Sequence, residues 1–461
     1  MPRVFGLVAI TTLLATALST LAETGVWVAI VRKGGLVERD WLDQMWTLQA
    51  VRGVILYLLA LVLVPFVARA YGEPELMWLL PVANVWLLIL GVESLQPFVR
   101  QKELKPGFRL KLQLASQVVG STVSIAGALL FPSPWALVAG ILAGAAITTI
   151  LSHAWAGAPL PRPHLTRAFL REQWKLASWL IVSTALGFLG GQIDRLLFPA
   201  WFGTSLFGIY SIALTLALVL LMFGQGWADS VYMPAIAKLS EVRSQAAERQ
   251  LRSLSRTVSV YAGVGSAMLA GIGWPFFLAL YPQAFAPAAI FIQILAVTTY
   301  TTFLTYLHRR TFLYQGLTRL EASIEGARLF LFLAGLGLAT LLGQRPTPTE
   351  YVALYAMVQV VVYVGLLVVG RLKKLVHFRD DLPGHLAIVA TMAGMTLLGE
   401  TLAHRSGALV SFLVCAAAGA IICLLTAARL GLPKLPESSR TDIVEDQEFA
   451  VPLDPFEQVQ S

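Results

Sequence analysis

Apolar residues run through this sequence in long blocks parted by short polar connections, and each block has about the roughly 20 residues a helix needs to cross a bilayer core. The blocks fall at 5–31, 49–69, 76–98, 112–131, 134–156, 176–200, 203–227, 258–281, 284–306, 322–342, 350–370, 384–403 and 406–428. Each predicts a transmembrane helix, thirteen in all. Two pairs stand close together, parted only by residues 132–134 and 281–283, and their combined lengths argue for two spans in each case rather than one kinked helix.

The basic residues support this list. Of the 34 Lys and Arg, 27 fall in every second connection, beginning with Arg32, Lys33 and Arg39 and ending with Arg429, Lys434 and Arg440. The alternate segments hold only Arg3, Arg69, Arg345 and Arg405. Lys and Arg collect on the cytoplasmic side, so the pattern places Met1 outside and the tail inside. A cleaved signal peptide, the other reading of Arg3 and the apolar run behind it, is disfavoured by the length of that run and by Glu23 within it.

Composition agrees: 57% of residues are hydrophobic, 13% are charged and the mean hydropathy is +0.72, where a soluble domain is about one quarter charged. The fold class is an all-α polytopic membrane protein. The net charge of +8 reads as cytoplasmic Lys and Arg, not as a nucleic-acid surface. Cys415 and Cys423 lie two helical turns apart in one apolar block and read as small buried hydrophobes. The GILAG run at 140–144 reads as a close-packing helix face. Trp78, Trp135, Trp201 and Tyr281 read as interfacial anchors, and 228–257 as an amphipathic cytoplasmic helix joining two lobes. Residues 431–461, acidic and rich in Pro, read as a disordered cytoplasmic tail.

The chain also repeats itself. FGLVAI at 5–10 answers FGIYSI at 207–212, PFVARAY at 65–71 answers PFFLALY at 275–281, and KPGFR at 105–109 faces QGLTR at 315–319. Three matches in order at offsets of 202 to 210 indicate an internal repeat. Six spans part the copies, so both share one orientation about a pseudo-two-fold axis along the membrane normal. The expected organisation is an N-terminal lobe at 1–175, a C-terminal lobe at 176–371 and an extra helix pair at 372–430. FGIYSI follows a whole span that FGLVAI lacks, so the first lobe is expected to be one helix short.

At this level the chain resembles the polysaccharide and oligosaccharide flippases, lipid-linked glycan transporters of the multidrug, oligosaccharidyl-lipid and polysaccharide exporter superfamily. The resemblance rests on FGLVAI with Glu23-Thr24-Gly25 and Arg32-Lys33 behind it, on Gln101-Lys102-Glu103-Leu104, on Ile193-Asp194-Arg195 followed by FGIYS, and on Met233-Pro234-Ala235. It implies a non-enzymatic flippase of the bacterial inner membrane that moves an undecaprenyl-diphosphate-linked oligosaccharide or exopolysaccharide precursor by alternating access. Membrane lipids surround it, and a polysaccharide polymerase and glycosyltransferases of the same pathway are the implied partners. No cofactor is implied, with coupling to H+ or Na+ open. A cation-coupled multidrug antiporter of the same superfamily is the first alternative. A membrane glycosyltransferase or polymerase is the second, and the short external loops argue against it.

Charges inside spans cost a few kcal/mol unless they meet a partner or a wet cavity. Arg52, Arg195, Arg328, Glu23, Glu93 and Glu325 are therefore the candidates for a substrate cavity. The arginines would hold a diphosphate or an acidic sugar, and the expectation is that all three line one central cavity. A structural ion pair or snorkelling weighs equally for Arg52 and Arg328. Glu325 and Arg328 stand i to i+3 and can pair on one helix face. Asp194 and Arg195 diverge by about 100° on a helix, so each needs its own partner, and near the outer end of their span they read as a gating or lobe-locking pair. Glu400 is a weaker candidate.

Overall fold

The computed structural model describes residues 2–33, 38–102, 107–131, 133–157, 159–232, 236, 245–314, 318–372 and 382–430, and among these there are helices and no strands. In chain order they are α1 (Pro2–Arg32), α2 (Arg39–Tyr71), α3 (Leu76–Ala83), α4 (Trp86–Gly91), α5 (Gln96–Lys102), α6 (Gly107–Leu130), α7 (Pro134–Ala154), α8 (Arg167–Phe202), α9 (Thr204–Trp227), α10 (Gln245–Leu280), α11 (Pro287–Tyr314), α12 (Thr318–Leu341), α13 (Pro348–Leu372), α14 (Leu382–Ser406) and α15 (Ala408–Leu430). Every expected span coincides with helix, and both close pairs are separate helices, α6 with α7 and α10 with α11. Ten of the helices are long and apolar enough to cross a membrane among the described residues, eleven when the broken α3–α5 counts as one. The thirteen expected from sequence add α8, whose first two turns are polar, and α14, whose described apolar part, Ala387–Ala403, is shorter.

Local chemistry sets the helix ends. α2 stops at Gly72, which takes the left-handed φ of 66° and turns its N–H back onto the last turn. α8 is capped by the Thr166 hydroxyl, which accepts from the N–H of Phe169, and it ends at Gly203 with φ 82°. α13 opens on a reciprocal capping box, Thr347 N–H to Glu350 Oε2 at 2.7 Å and Glu350 N–H to Thr347 Oγ1 at 3.3 Å.

Two expectations need correction. The span at 76–98 is broken, with 57° between 76–91 and α5. The freed carbonyls are taken up by neighbours: Gln49 Nε2 lies 3.1 to 3.2 Å from those of Leu90, Gly91 and Glu93, and Trp46 Nε1 donates to that of Val92. This is how a membrane helix tolerates a break. Second, the described part of the connection at 228–257 is not a separate helix joining lobes: a π-helical turn, Ala228–Tyr232, closes α9, and from Gln245 the chain runs unbroken into α10. The expected lobe boundary at 175 falls inside α8, whose start packs Phe169 against Trp41 of α2. The tail at 431–461 lies outside the described residues.

Glycines bring helices together where the sequence suggested. A β-carbon on Gly140 would fall 2.5 Å from the Gly120 carbonyl oxygen, so the GILAG run is where α7 meets α6. The extra pair docks on α10: a β-carbon on Gly399 would fall 2.2 Å from the Gly271 carbonyl oxygen, and Gly263 faces Ile388.

The tightest crossing joins the two repeats. A β-carbon on Gly6 would fall 1.9 Å from the carbonyl oxygen of Thr204, and one on Gly208 would fall 2.0 Å from that of Pro2. Gly6 and Gly208, like Pro2 and Thr204, are 202 residues apart. Each contact is thus the exchange of the other, the reciprocity of a two-fold contact.

The largest core surrounds this crossing and draws on both repeats, with Leu7, Ile10, Val64, Ala68, Phe198, Phe207, Phe285 and Tyr351 among its members. Toward the opposite end the core divides into separate clusters. One holds Ile30, Trp41, Met45 and Leu95 of the first repeat, another Tyr232, Leu254, Phe303 and Leu307 of the second. The helices are joined across the repeats at the end where α1 starts.

That end is also tied by charge. Arg3 donates to Glu73 Oε2 at 2.5 Å and to Glu75 Oε1 at 3.0 Å, and Glu73, in the turn after α2, is 9% exposed. The hydrogen bond from Arg3 holds the Glu73 carboxyl below its ordinary value. A lowered folded-state value gives stability that is present above the ordinary glutamate value of about 4.3 and lost as pH falls through the lowered one. Melting of the detergent-purified protein from about pH 6 to about pH 3 is expected to show that loss. Arg3→Ala should lower the plateau above pH 4.3 and flatten the acid limb; an unchanged acid limb would remove the pair from the account.

Candidate functional site

Just past the glycine crossing, α1 and α9 part around a cavity of about 400 Å³. Thr12 and Thr16 of α1 and Ser211 and Thr215 of α9 face it from opposite sides, with Arg195 of α8 and Tyr281 at its edge. Each of these hydroxyls donates within its own helix, Thr12 to Ala9 O, Thr16 to Thr12 O, Ser211 to Gly208 O and Thr215 to Ser211 O, at 2.7 to 3.0 Å. Their oxygens remain as acceptors toward the cavity. Arg195 is the one charged residue in its lining, and its Nε is buried with no partner among the described residues.

Asp194 turns about 100° away from Arg195, as neighbours on a helix do. It is 1% exposed, and Oδ2 accepts from the Tyr210 hydroxyl at 2.6 Å while its backbone carbonyl accepts from Tyr351 at 2.8 Å. The Phe198 ring stacks on Tyr210 at 4.6 Å. These contacts join α8, α9 and α13, all in the second repeat. Asp194 therefore braces that repeat from within, where the sequence suggested a tie between lobes. A polar tie across the repeats is instead made by the Tyr71 hydroxyl, which donates to Leu196 O at 3.0 Å.

Glu325 and Arg328 pair as their spacing predicts, at 2.8 Å, and they are 8% and 6% exposed. Arg309 of α11 completes the cluster at 2.5 Å from Glu325 Oε1. Arg309 lies between the apolar blocks at 284–306 and 322–342, yet α11 extends far enough to carry it alongside α12. Gly190 of α8 lets the cluster approach, since a β-carbon there would fall 2.8 Å from the Glu325 carbonyl oxygen. Removing Glu325 leaves Arg328 charged and buried without this partner, a change that costs about 3–5 kcal/mol. Glu325→Ala is expected to lower the melting temperature clearly, and the double variant with Arg328→Met to recover much of the loss; equal melting of the single variant and the parent would contradict this role.

Arg52 and Glu93 share a different pocket, of about 180 Å³, beside the break in α3–α5. Arg109, Gln49, Gln113 and Thr148 also line it. Arg109 lies in the connection before the apolar block at 112–131, yet it is on the first turn of α6, and its guanidinium reaches Gln101 at 2.7 Å and lies 5.0 Å from the Phe98 ring centroid. The three arginines expected in one central cavity are thus distributed: Arg52 in this pocket, Arg195 between α1 and α9, Arg328 in the ion cluster. The reason is that α2 turns Arg52 toward α4 and α6. The Glu23 side chain lies outside the described residues. Glu400 accepts from Gln293 at 3.0 Å and joins α14 to α11.

Comparison with known proteins agrees with this architecture. Residues 1–288 match the family model described as polysaccharide biosynthesis protein. The lipopolysaccharide biosynthesis protein WzxC of Escherichia coli (strain K12) is 20% identical over 239 residues, 51% of this chain and 48% of that protein. The chain thus aligns with about half the length of this curated relative. Among solved structures, the lipid II flippase MurJ in an inward closed conformation superposes with a TM-score of 0.71 at 10% identity, over 93% of this chain and 92% of that one. An inward-facing multidrug resistance MATE family transporter of the MOP superfamily follows, with a TM-score of 0.59 at 14% identity, over 85% and 91%. The shared fold is that of a multi-pass membrane protein.

Proposed function

The chain belongs to the polysaccharide biosynthesis protein family, and from that premise we propose that it is a flippase that carries an undecaprenyl-diphosphate-linked oligosaccharide or exopolysaccharide precursor across the bacterial inner membrane by alternating access. The observation that carries this reading is the pairing of a reciprocal, sealed crossing at one end of α1 and α9 with a cavity opening beneath it between the same two helices. The positive-inside pattern makes the sealed end the outer one and puts the tail in the cytoplasm. Two lobes, 1–175 and 176–371, would then rock about the crossing, with the pair at 372–430 docked on the second.

The cavity lining favours this reading over a cation-coupled drug antiporter: Arg195 and four hydroxyls suit a phosphorylated glycan, and no carboxylate lines the cavity among the described residues. Transport is coupled to H+ or Na+ in this proposal, and the glycosyltransferases and polymerase of the same pathway supply and consume the cargo. Deleting the gene and measuring undecaprenyl-linked glycan on each leaflet tests it. Accumulation on the inner leaflet is the expected result; an unchanged distribution would remove the flippase reading.

A further inference from the structure

The pocket of about 180 Å³ beside the break in α3–α5 carries charges that the fold does not require. The repeat supplies the comparison. At the offset of 210 that relates 65–71 to 275–281, Arg52 and Glu93 correspond to Ala262 and Phe303. Both of those line an apolar cavity at the same place in the second repeat, between α9, α10 and α11. Gly53, beside Arg52 in the pocket, corresponds to a second glycine, Gly263. Equivalent helices thus pack with an alanine and a phenylalanine at these positions, so helix packing does not explain an arginine and a glutamate, each costly inside a span.

The pocket also adjoins the cavity beneath the crossing. Thr12, Thr16 and Ser19 stand at i, i+4 and i+7 on one face of α1. The first two line that cavity and Ser19 lines this pocket. Thr16 and Ser19 are about 4.5 Å apart along the helix axis, so the two sites follow one another on the same face of α1.

The lining selects the occupant. Arg52 and Arg109 carry N–H donors, Glu93 carries acceptors, and the exposed Gln113 amide carries both. A free anion would meet Glu93 and a cation would meet the two arginines. An uncharged ring of hydroxyls, each both donor and acceptor, matches all of them. Trp86 and Phe98 add aromatic surface for the apolar face of such a ring, and a volume below the roughly 300–1,000 Å³ of drug-sized sites suits a single ring. We infer that the pocket between α1, α2, α4 and α6 binds a neutral sugar ring of the transported glycan, and that Arg52, Glu93 and Gln113 set which glycan is carried. That the sugar belongs to a transported lipid rests on the flippase reading; its neutral, hydroxyl-rich character rests on the pocket.

The probes are farnesyl diphosphate and farnesyl diphosphates carrying glucose, galactose, mannose or glucuronic acid, with binding to the full-length protein read by native mass spectrometry. At least one neutral sugar is expected to tighten binding about tenfold over bare farnesyl diphosphate. Glu93→Gln should remove most of that gain and Gln113→Leu part of it, while both variants bind the bare diphosphate as the parent does. Arg195→Gln should weaken all the probes alike. No gain from any neutral sugar, tightest binding of the glucuronic acid probe, or equal losses for bare and sugar-bearing probes in Glu93→Gln and Gln113→Leu overturns the inference. Should Glu93→Gln not fold, Gln113→Leu and a photoreactive sugar probe on the unaltered protein decide: cross-links within 49–56, 86–98 or 109–113 support the site, and cross-links confined elsewhere overturn it. A sugar-dependent gain without flipping would remove the flippase reading and leave this site, whereas flipping by a parent protein that shows no such gain would do the reverse.

Discussion

Gly208→Val is expected to abolish transport and to open the outer end of the protein. A β-carbon at this position would lie 2.0 Å from the Pro2 carbonyl oxygen and 2.7 Å from the Gly6 nitrogen, and both are backbone atoms that no side-chain rotation can move aside. The two helices must separate, and overpacking of this kind costs about 1–3 kcal/mol or more. Because the contact exists only when the outer ends are together, the penalty falls on the closed state alone, and a ligand or proton can shift such an equilibrium only by its differential affinity. A cysteine placed at Ser211 reports the outcome, in a background without Cys415 and Cys423. It should resist an impermeant maleimide added outside in the parent and react readily in Gly208→Val. Gly191→Ala, where a β-carbon meets nothing within 4 Å, should transport normally. Parent-level transport by Gly208→Val would mean that the crossing is not part of the cycle.

Arg195→Gln is the second large effect. A hydrogen bond to a charged group is worth about 1.5–3 kcal/mol, so losing the charge that faces the cavity should lower apparent substrate affinity roughly 10- to 100-fold. Arg195→Lys should keep the charge and lose bidentate geometry, giving an intermediate value. Melting is expected to fall as well, because the Arg195 charge also offsets that of the buried Asp194 carboxylate beside it, so affinity is compared at equal folded protein. Concentration-dependent uptake in vesicles checks this; equal affinity in parent and Arg195→Gln would take the residue out of substrate contact.

Much of this was legible in the sequence, for reasons that differ by element. Span positions follow from transfer energetics, which act on composition alone, so helices α1, α2 and α6 to α15 stand close to where the apolar blocks fall. The repeat was legible because Gly6 and Gly208 serve one steric need, and a need for no side chain leaves the same letter at both places. The break in α3–α5 was only partly legible. Its signal is Glu93, Ser94 and Pro97 inside an otherwise apolar block, but what makes the break tolerable is Gln49, on another helix. The opposed directions of Asp194 and Arg195 follow from helix geometry, but Tyr210 and Tyr351 as partners of Asp194 depend on how α9 and α13 pack against α8. The single arginine-lined cavity failed for the same reason. Depth in the bilayer can be read from position in a span, whereas the face a residue presents depends on neighbours that hydropathy does not encode.

The most direct test of the central claim is flipping itself. Purified protein in vesicles of bacterial phospholipid would be given a fluorescent undecaprenyl-diphosphate oligosaccharide on one leaflet, and its arrival on the other followed by an enzyme that cannot cross the membrane. The account predicts transfer by the parent protein, little by Arg195→Gln and none by Gly208→Val. Transfer at the rate of protein-free vesicles by the parent, or at parent rates by Gly208→Val, would contradict it.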